Sequence, residues 1–349
     1  MIDPLKYIDQ LRAKSKGDPL ALLRIAEMML EAQRFDEMID LCEEIIAGAD
    51  ANVAARARSL MLRQIPGWHF SILSDLPRNR AYADAIARAL AARPGARVLE
   101  IGTGSGILAM HAVRAGAAHV VTCEANRLVA QAARGVLVAN GMNRQITLFN
   151  RHSTRLTEAD IGGRADILIS EIIADNVLSE GVLPSHEHAL RALCVPDPVV
   201  IPARATVCVA LATDHSPLRA ALDHLDGFDL APFNRLRPPV ISIKADDPDV
   251  QLRSEPIDLF AFDLAMPSRQ PPERGTRMMQ SGGGRIDGVV QWLRLDLAPG
   301  ISYENPPNGA WSNWGLRFHR FDDPVETQAG DLITIDAAHD RSRISITRA

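Results

Sequence analysis

The chain has 349 residues, enough for two or three domains, and 47% of them are apolar, enough to bury sizeable cores. A formal net charge of −5, with no compensating basic cluster, argues against nucleic acid as a partner and accommodates a cationic substrate. No run of about 18 uninterrupted apolar residues suggests a membrane span.

From the start, MIDPLKYIDQLRAK carries acidic and polar side chains where an export signal would need an apolar core, so a cytoplasmic protein is expected. The four cysteines (Cys42, Cys123, Cys194, Cys208) are scattered in apolar runs with no CxxC and read as reduced core residues. Residues 19 to about 62 show apolar residues at helical spacing, interrupted at Gln33-Arg34-Phe35, with Asp18 placed as an N-cap. This stretch, read as residues 1–62, resembles one tetratricopeptide (TPR) unit followed by part of another. Such units need neighbours to bury their faces, so an accessory helical domain, a dimer contact and a peptide groove all remain open. Pro66-Gly67 marks a boundary. WHFSILSDLPRNRAYADAIARALAARPG then predicts two helices, interrupted near Pro77 and ended by Pro94-Gly95.

The stretch Arg97 to Asn126, RVLEIGTGSGILAMHAVRAGAAHVVTCEAN, organises the rest. An apolar run of strand length, Val98 to Ile101, meets a turn with Gly102, Gly104 and Gly106 at alternate positions. A helix starts near Ile107, and a second strand, His119 to Cys123, ends at Glu124. This is one βαβ unit. The glycines let the backbone approach a ligand, the helix start offers free N–H groups, and Glu124 is placed to accept from both hydroxyls of a ribose. A dinucleotide and S-adenosylmethionine both fit. The spacing is GxGxG rather than GxGxxG, and Glu100 lies two positions before the first glycine, which resembles a class I S-adenosylmethionine-dependent methyltransferase. That resemblance places Glu100, Gly102, Gly104, Gly106 and Glu124 on the cofactor.

Beyond Glu124, a helix is expected from Asn126 to Asn140, then strands Ile146 to Asn150 and Ala165 to Ser170, the last followed by Glu171. Alternating helices and strands imply a parallel sheet to about Pro202, with ligands at the carboxyl ends of its strands. From Ala203 short β-rich runs (RATVCVALA, FDLAPF, VISIKA, FAFDLA, GVVQWLRLDL, DLITIDAA) predict an antiparallel sheet or barrel, with Met278 to Gly284 as a loop. His186-Glu187-His188 looks like a metal-ligand string. However, histidines two apart on a helix face different ways, so they are read as structural and no metal is expected.

In SEIIADNVLSEG, Glu171 and Glu180 can return to face one another across a short loop. Two carboxylates in one pocket are destabilising unless a cation lies between them, and a guanidinium, planar, forked and permanently charged, suits that slot. Holding its charge on two nitrogens leaves the third richer in electrons and able to attack a sulfonium methyl.

At these residues the sequence resembles the protein arginine methyltransferase family, whose signature is this double-glutamate loop. EGVLPSHEHALRAL, VIPARATV and SILSDLPRNRAYADAI point to the type III (monomethylating, PRMT7-like) branch. The resemblance covers roughly residues 68 to 349. It implies an α/β fold in which a Rossmann-like domain at 63–202, with its N-terminal helices, precedes a β-barrel substrate domain at 203–349. It also implies a homodimer through an arm near Phe228 to Asp258, and an arginine-bearing protein, peptide or free arginine as acceptor. By the same likeness Arg78 holds the cofactor carboxylate, Asp75 belongs to the active-site hydrogen-bond network, and Ser153, after His152, lies on the adenine side. There are departures. The aromatic motif of the first helix is missing, with Trp68 or Phe70 as stand-ins. The Thr-His-Trp loop of the family, Asp-His-Trp in the type III branch, reads Ser312-Asn313-Trp314 here. Asn313 there removes a titratable partner expected for Asp75, and Trp314 is a candidate substrate wall. Three functions therefore stand: arginine methylation, methylation of another small acceptor, and a S-adenosylmethionine-binding scaffold that has lost turnover.

Overall fold

The computed structural model describes residues 4–349, with side chains from Ile8 onward. Contacts group it into two units: one runs to His69 and includes Arg127–Val129, and the other holds Phe70–Asn126 and Ala130–Ala349.

The first unit contains α1 (Pro4–Lys14), α2 (Pro19–Glu31), α3 (Phe35–Gly48) and α4 (Ala51–Leu62). Their apolar stripes close on a core of Leu23, Ala26, Met29, Met38, Leu41 and Cys42. Asp18 starts α2 by accepting from the backbone N–H of Leu20 (3.0 Å) and Ala21 (3.1 Å). Asp50 does the same for α4, from Asn52 (2.9 Å) and Val53 (3.2 Å). Each cap is worth about 0.5–2 kcal/mol. The stretch expected to be helical from 19 to 62 with one interruption therefore has a second, at Asp50, because an aspartate side chain competes there for the next turn's N–H groups.

The second unit begins within α5 (Trp68–Ser71), at Phe70, and a 3-10 turn leads into α6 (Leu76–Ala92). Pro77 lies in the first turn of α6, where its missing N–H costs nothing, so the interruption expected at Pro77 is a helix start. Then follow β1 (Arg97–Ile101), α7 (Ile107–Arg114), β2 (His119–Glu124), α8 (Arg127–Ala139), β3 (Ile146–Asn150), β4 (Ala165–Ser170), α9 (Val182–Ala192) and β5 (Cys194–Ile201). The strands form a parallel sheet in the order β3-β2-β1-β4-β5. The order reverses beside β1, whose neighbours are β2 and β4, so the crevice for a ligand opens at the carboxyl ends of β1 and β4.

The remaining strands are β6 (Arg204–Asp214), β7 (His224–Leu225), β8 (Phe228–Asp229), β9 (Val240–Ile243), β10 (Val250–Leu252), β11 (Ile257–Asp263), β12 (Glu273–Ala298), β13 (Ile301–Glu304), β14 (Leu316–His339) and β15 (Ile344–Arg348). Apart from the β7–β8 hairpin they make one antiparallel, barrel-like sheet. Residues 205 to 213 of β6 are buried on both faces. Side chains alternate along a strand, so Val207, Val209 and Leu211 join the core shared with the parallel sheet, while Cys208, Ala210 and Ala212 join Trp292 and Phe318 in a separate one. The change of architecture near Pro202 is thus not a gap in packing.

Two expectations about this sheet need correction. Met278 to Gly284 is not a loop but part of β12, paired with β14; register shifts at Gln280/Gly282 and Ile286/Gly288 absorb the glycines as bulges. FDLAPF contributes only two strand residues before a 3-10 turn at Ala231–Leu236. Part of the stretch expected as an arm, Phe228 to Asp258, is barrel strand. β9, β10 and β11 belong to the barrel, and the segment that leaves it, residues 218–236, exposes Leu218, Leu225, Phe228, Phe233 and Leu236. Among the described residues no helix is long and apolar enough to cross a membrane, and all four cysteines are buried free thiols.

Candidate active site

The glycine turn follows directly from the ends of β1 and β2. Gly102 and Thr103 both donate to the Cys123 carbonyl (3.1 and 3.0 Å), and Gly106 donates to that of Thr103 (2.7 Å). Gly102, at φ 84°, also lies against the loop after β4: a Cβ there would fall 2.7 Å from Ile172 Cγ2 and 3.4 Å from the Glu171 carbonyl oxygen. No side chain fits, so Gly102 is fixed by both its conformation and its neighbour. Gly104 faces open space.

Glu100, expected on the cofactor, lies beneath the turn instead. It is fully buried, and its carboxylate accepts from the Thr122 hydroxyl and from the Ala109 N–H (3.1 Å). It holds the start of α7 and β2 in place and presents nothing to the crevice. Burial pushes its carboxyl up to about 8, against those two hydrogen bonds and with the Glu124 charge adding to the rise. Glu124, half-buried at the end of β2, accepts from Gly104 N–H (3.1 Å) and Asn126 N–H (2.9 Å). Ser153, in the turn after β3, is buried with its hydroxyl unpartnered.

Because Ile101 and Ser170 are register partners, Gly102 and Glu171 leave the sheet side by side. Arg78, in the first turn of α6, reaches Glu171 with Nη2 and Asn79 Oδ1 with Nη1 (2.8 Å), while its ring neighbours are Tyr82 and Trp314 at 5.2 and 5.7 Å. Its Nε has no partner. Burial raises the Glu171 carboxyl above the ordinary range, the Arg78 charge opposes it, and the charges of Glu180 and Asp75 add to the rise. Glu180 is open to solvent, yet desolvation within the cleft, then Asp175 and Glu124, also raise it. The loop between the glutamates is tied to the barrel: Trp314 Nε1 donates to the Ile173 carbonyl (2.7 Å) and Arg317 pairs with Asp175 (3.2 Å).

Asp75 is fully buried and caps α6, accepting Arg78 N–H on Oδ1 (3.1 Å). On Oδ2 it takes the Tyr303 hydroxyl (2.7 Å), the Ser312 hydroxyl (3.2 Å) and the Asn313 N–H (3.0 Å). The Asn313 side chain turns away, accepting from the Ser71 hydroxyl (2.6 Å). Trp314, expected as a substrate wall, is only 5% exposed and packs on Tyr303 and Arg78. Sequence reasoning missed Tyr303, Ser312 as a donor, and the Asp175–Arg317 pair. Ser312 and Asp175 do lie in the loop motifs the sequence offered, but every one of these contacts spans more than a hundred residues, so no spacing along the chain announces it. Of the histidine string, His186 bonds Ser170 Oγ (2.7 Å) and the Leu264 carbonyl (2.9 Å), and His188 the Leu156 carbonyl (3.1 Å).

The residues fit S-adenosylmethionine. Gly104 has open space beside its backbone, and two buried polar atoms, Arg78 Nε and Ser153 Oγ, have no protein partner, which native interiors rarely tolerate.

Comparison with known proteins agrees. A family model described as ribosomal protein L11 methyltransferase (PrmA) matches residues 85–184. Arginine N(omega)-methyltransferase of Streptomyces achromogenes subsp. streptozoticus is 35% identical over 312 residues, 88% of this chain and 85% of its own. Protein arginine N-methyltransferase 7 of Oryza sativa subsp. indica is 32% identical over 268 residues, 69% of this chain and 37% of its own. That of Danio rerio is 30% identical over 302 residues, 77% and 44%. The chain thus spans less than half the length of the latter two. In fold it is similar to the Trypanosoma brucei PRMT1 enzyme–prozyme heterotetrameric complex with AdoHcy, with a TM-score of 0.68 at 23% identity over 78% of this chain and 87% of that one. It is also similar to Arabidopsis thaliana protein arginine methyltransferase 10, with a TM-score of 0.63 at 21% identity over 76% and 85%.

Proposed function

The chain belongs to the arginine N-methyltransferase family and is an S-adenosylmethionine-dependent arginine methyltransferase; from that premise we propose how its site works and what it acts on. The observation that carries the reading is the juxtaposition of Gly102 and Glu171 at adjoining strand ends, which brings a cofactor turn and a largely covered carboxylate together. The Glu124 carboxylate holds the ribose, the turn from Gly102 to Gly106 lies along the methionine moiety, Ser153 meets the adenine side, and Arg78 takes the cofactor carboxylate. When bound, S-adenosylmethionine supplies an electrophilic methyl group on a positively charged sulfur.

Glu171 and Glu180 hold the acceptor guanidinium. Glu171 already supports one guanidinium, that of Arg78, and shares its second oxygen with the incoming one. Charge held on two nitrogens leaves the third electron-rich, and fixed charges already in place strengthen that effect. Transfer releases a proton, for which solvent-open Glu180 is the exit.

The scaffold reading rested on Asn313, and Asp75 has its donors without a histidine there, so active turnover is favoured. The relative matched over 85% of its length is named for arginine rather than for a protein, so free arginine is the first acceptor to assay. Mass spectrometry of reactions with free arginine, arginine-rich peptides and lysate decides; methylation of lysine or a hydroxyl compound in preference to arginine defeats the proposal. The same spectra count the methyl groups, one being expected.

We propose a cytoplasmic homodimer whose contact is the exposed apolar segment 218–236, and an accessory role for the TPR-like helices. Leu218, 95% exposed, and Phe228, 70% exposed, are apolar side chains with no cover from the chain itself. Leu218→Glu with Phe228→Glu is expected to give a monomer by light scattering at micromolar concentration, where the unaltered chain gives a dimer.

A further inference from the structure

We propose that Tyr303 and Ser312 are positioning residues for methyl transfer. Through Asp75 they fix the first turn of α6 and so aim Arg78 between the cofactor turn and Glu171. The inference rests on the arginine methyltransferase reading of that site.

Three oxygens form a closed triangle: Tyr303 Oη is 2.7 Å from both Asp75 Oδ2 and Ser312 Oγ, which are 3.2 Å apart. Only two hydroxyl hydrogens serve its three edges. The tyrosine donates to the carboxylate, and the serine donates to the carboxylate or to the tyrosine oxygen. Backbone completes the arrangement, Asn313 N–H donating to Asp75 (3.0 Å) and Trp314 N–H to Ser312 Oγ (3.1 Å). All three side chains are buried, Asp75 completely, Tyr303 at 8% and Ser312 at 9% exposure. A buried carboxylate deprived of one donor must find another or shift, because the interior offers no water in exchange.

That shift reaches Arg78 directly. The other Asp75 oxygen holds the Arg78 N–H, so movement of the carboxylate moves the residue whose side chain touches Glu171 and whose buried Nε has no partner. Tyr303 also packs on Trp314, ring centres 5.4 Å apart, and Trp314 holds the Ile173 carbonyl at the start of the double-glutamate loop. One barrel edge, β13 with the turn at 312–314, thus sets the arginine and the loop together.

The test is a double-mutant cycle read two ways. S-adenosylhomocysteine affinity, measured by calorimetry on Tyr303→Phe, Asp75→Asn and the double variant, needs no acceptor. Turnover with an arginine acceptor at saturating S-adenosylmethionine is the second readout. Tyr303→Phe is expected to weaken S-adenosylhomocysteine about threefold or more and lower kcat on the order of tenfold. If tyrosine acts through Asp75, the double variant is no worse than Asp75→Asn alone. Full additivity, or a Tyr303→Phe enzyme that melts earlier but keeps its affinity and kcat well below its melting temperature, overturns the inference. Should Tyr303→Phe fail to fold, Ser312→Ala replaces it in the same cycle with the same criteria. Coupled affinity without any arginine transfer would leave the positioning role standing and sink the acceptor instead.

Discussion

The two halves of the site are built differently. The cofactor half is almost continuous in the chain: β1, its turn, α7 and β2 lie within thirty residues, and Glu100 and Glu124 brace the turn from below and beside it. The acceptor half is assembled from four distant places, namely the start of α6, the loop after β4, β13 and the turn at 312–314. A local motif is held by backbone geometry and tolerates loss of one side chain. An assembled constellation of buried charges does not, because each member is the counter-charge or donor of another.

The sharpest way to break the acceptor half is to remove a charge while keeping the shape. Glu180→Gln is expected to lower kcat on the order of 10²-fold while leaving S-adenosylhomocysteine affinity nearly unchanged. Glu171→Gln is expected to lower kcat at least as far and also to destabilise the fold by about 3–5 kcal/mol, since it leaves the buried Arg78 guanidinium without its counter-charge. Steady-state kinetics and denaturant titration check the pair. Near-normal arginine methylation by both variants would end the clamp proposal. In the cofactor half, Glu124→Ala is expected to weaken S-adenosylmethionine by about 1.5–3 kcal/mol, with kcat at saturation little altered. Unchanged affinity by calorimetry would remove Glu124 from the ribose.

The pH responses of the two halves differ in sign as well as place. Glu171 must be ionised to hold charge on the acceptor, and its carboxyl lies above the ordinary range. The acid limb of kcat is therefore expected well above the usual carboxylate range, with activity falling as pH falls, and Glu180→Gln should move that limb downward by removing a repelling charge. Stability runs the other way. A carboxyl raised in the folded state, as Glu100 is to about 8, contributes stability that is full below its unfolded value and lost as pH rises through the folded one. Glu100→Gln is thus expected to melt a few degrees higher than the unaltered chain at pH 8.5 and to differ little at pH 5; equal melting temperatures at both would show that Glu100 is not held protonated.

Much of the cofactor half was legible because its information is local. Spacing of Gly102, Gly104 and Gly106 after a β-branched run states a turn, and an acid at the next strand end states its place. Even there Glu100 misled, since a carboxylate two residues before a glycine reads the same whether it faces the crevice or lies beneath it. Met278 to Gly284 misled for a related reason: three glycines read as a loop until a long partner strand, β14, supplies the ladder that holds them as bulges.

By itself the sequence determined the order of elements, the parallel sheet, the glycine turn, the ends of β2 and β4 at which Glu124 and Glu171 stand, and the membership those motifs announce. These follow from periodicity and backbone preference, which act over a few residues. Only the tertiary structure decided that Arg78 rests on Glu171, that Asn313 gives Asp75 its backbone rather than its side chain, that Trp314 is a strut, and that Tyr303 reaches across 228 positions to a buried carboxylate. Which donor meets a buried charge depends on the packing of the barrel against the sheet, and no interval along the chain encodes that distance.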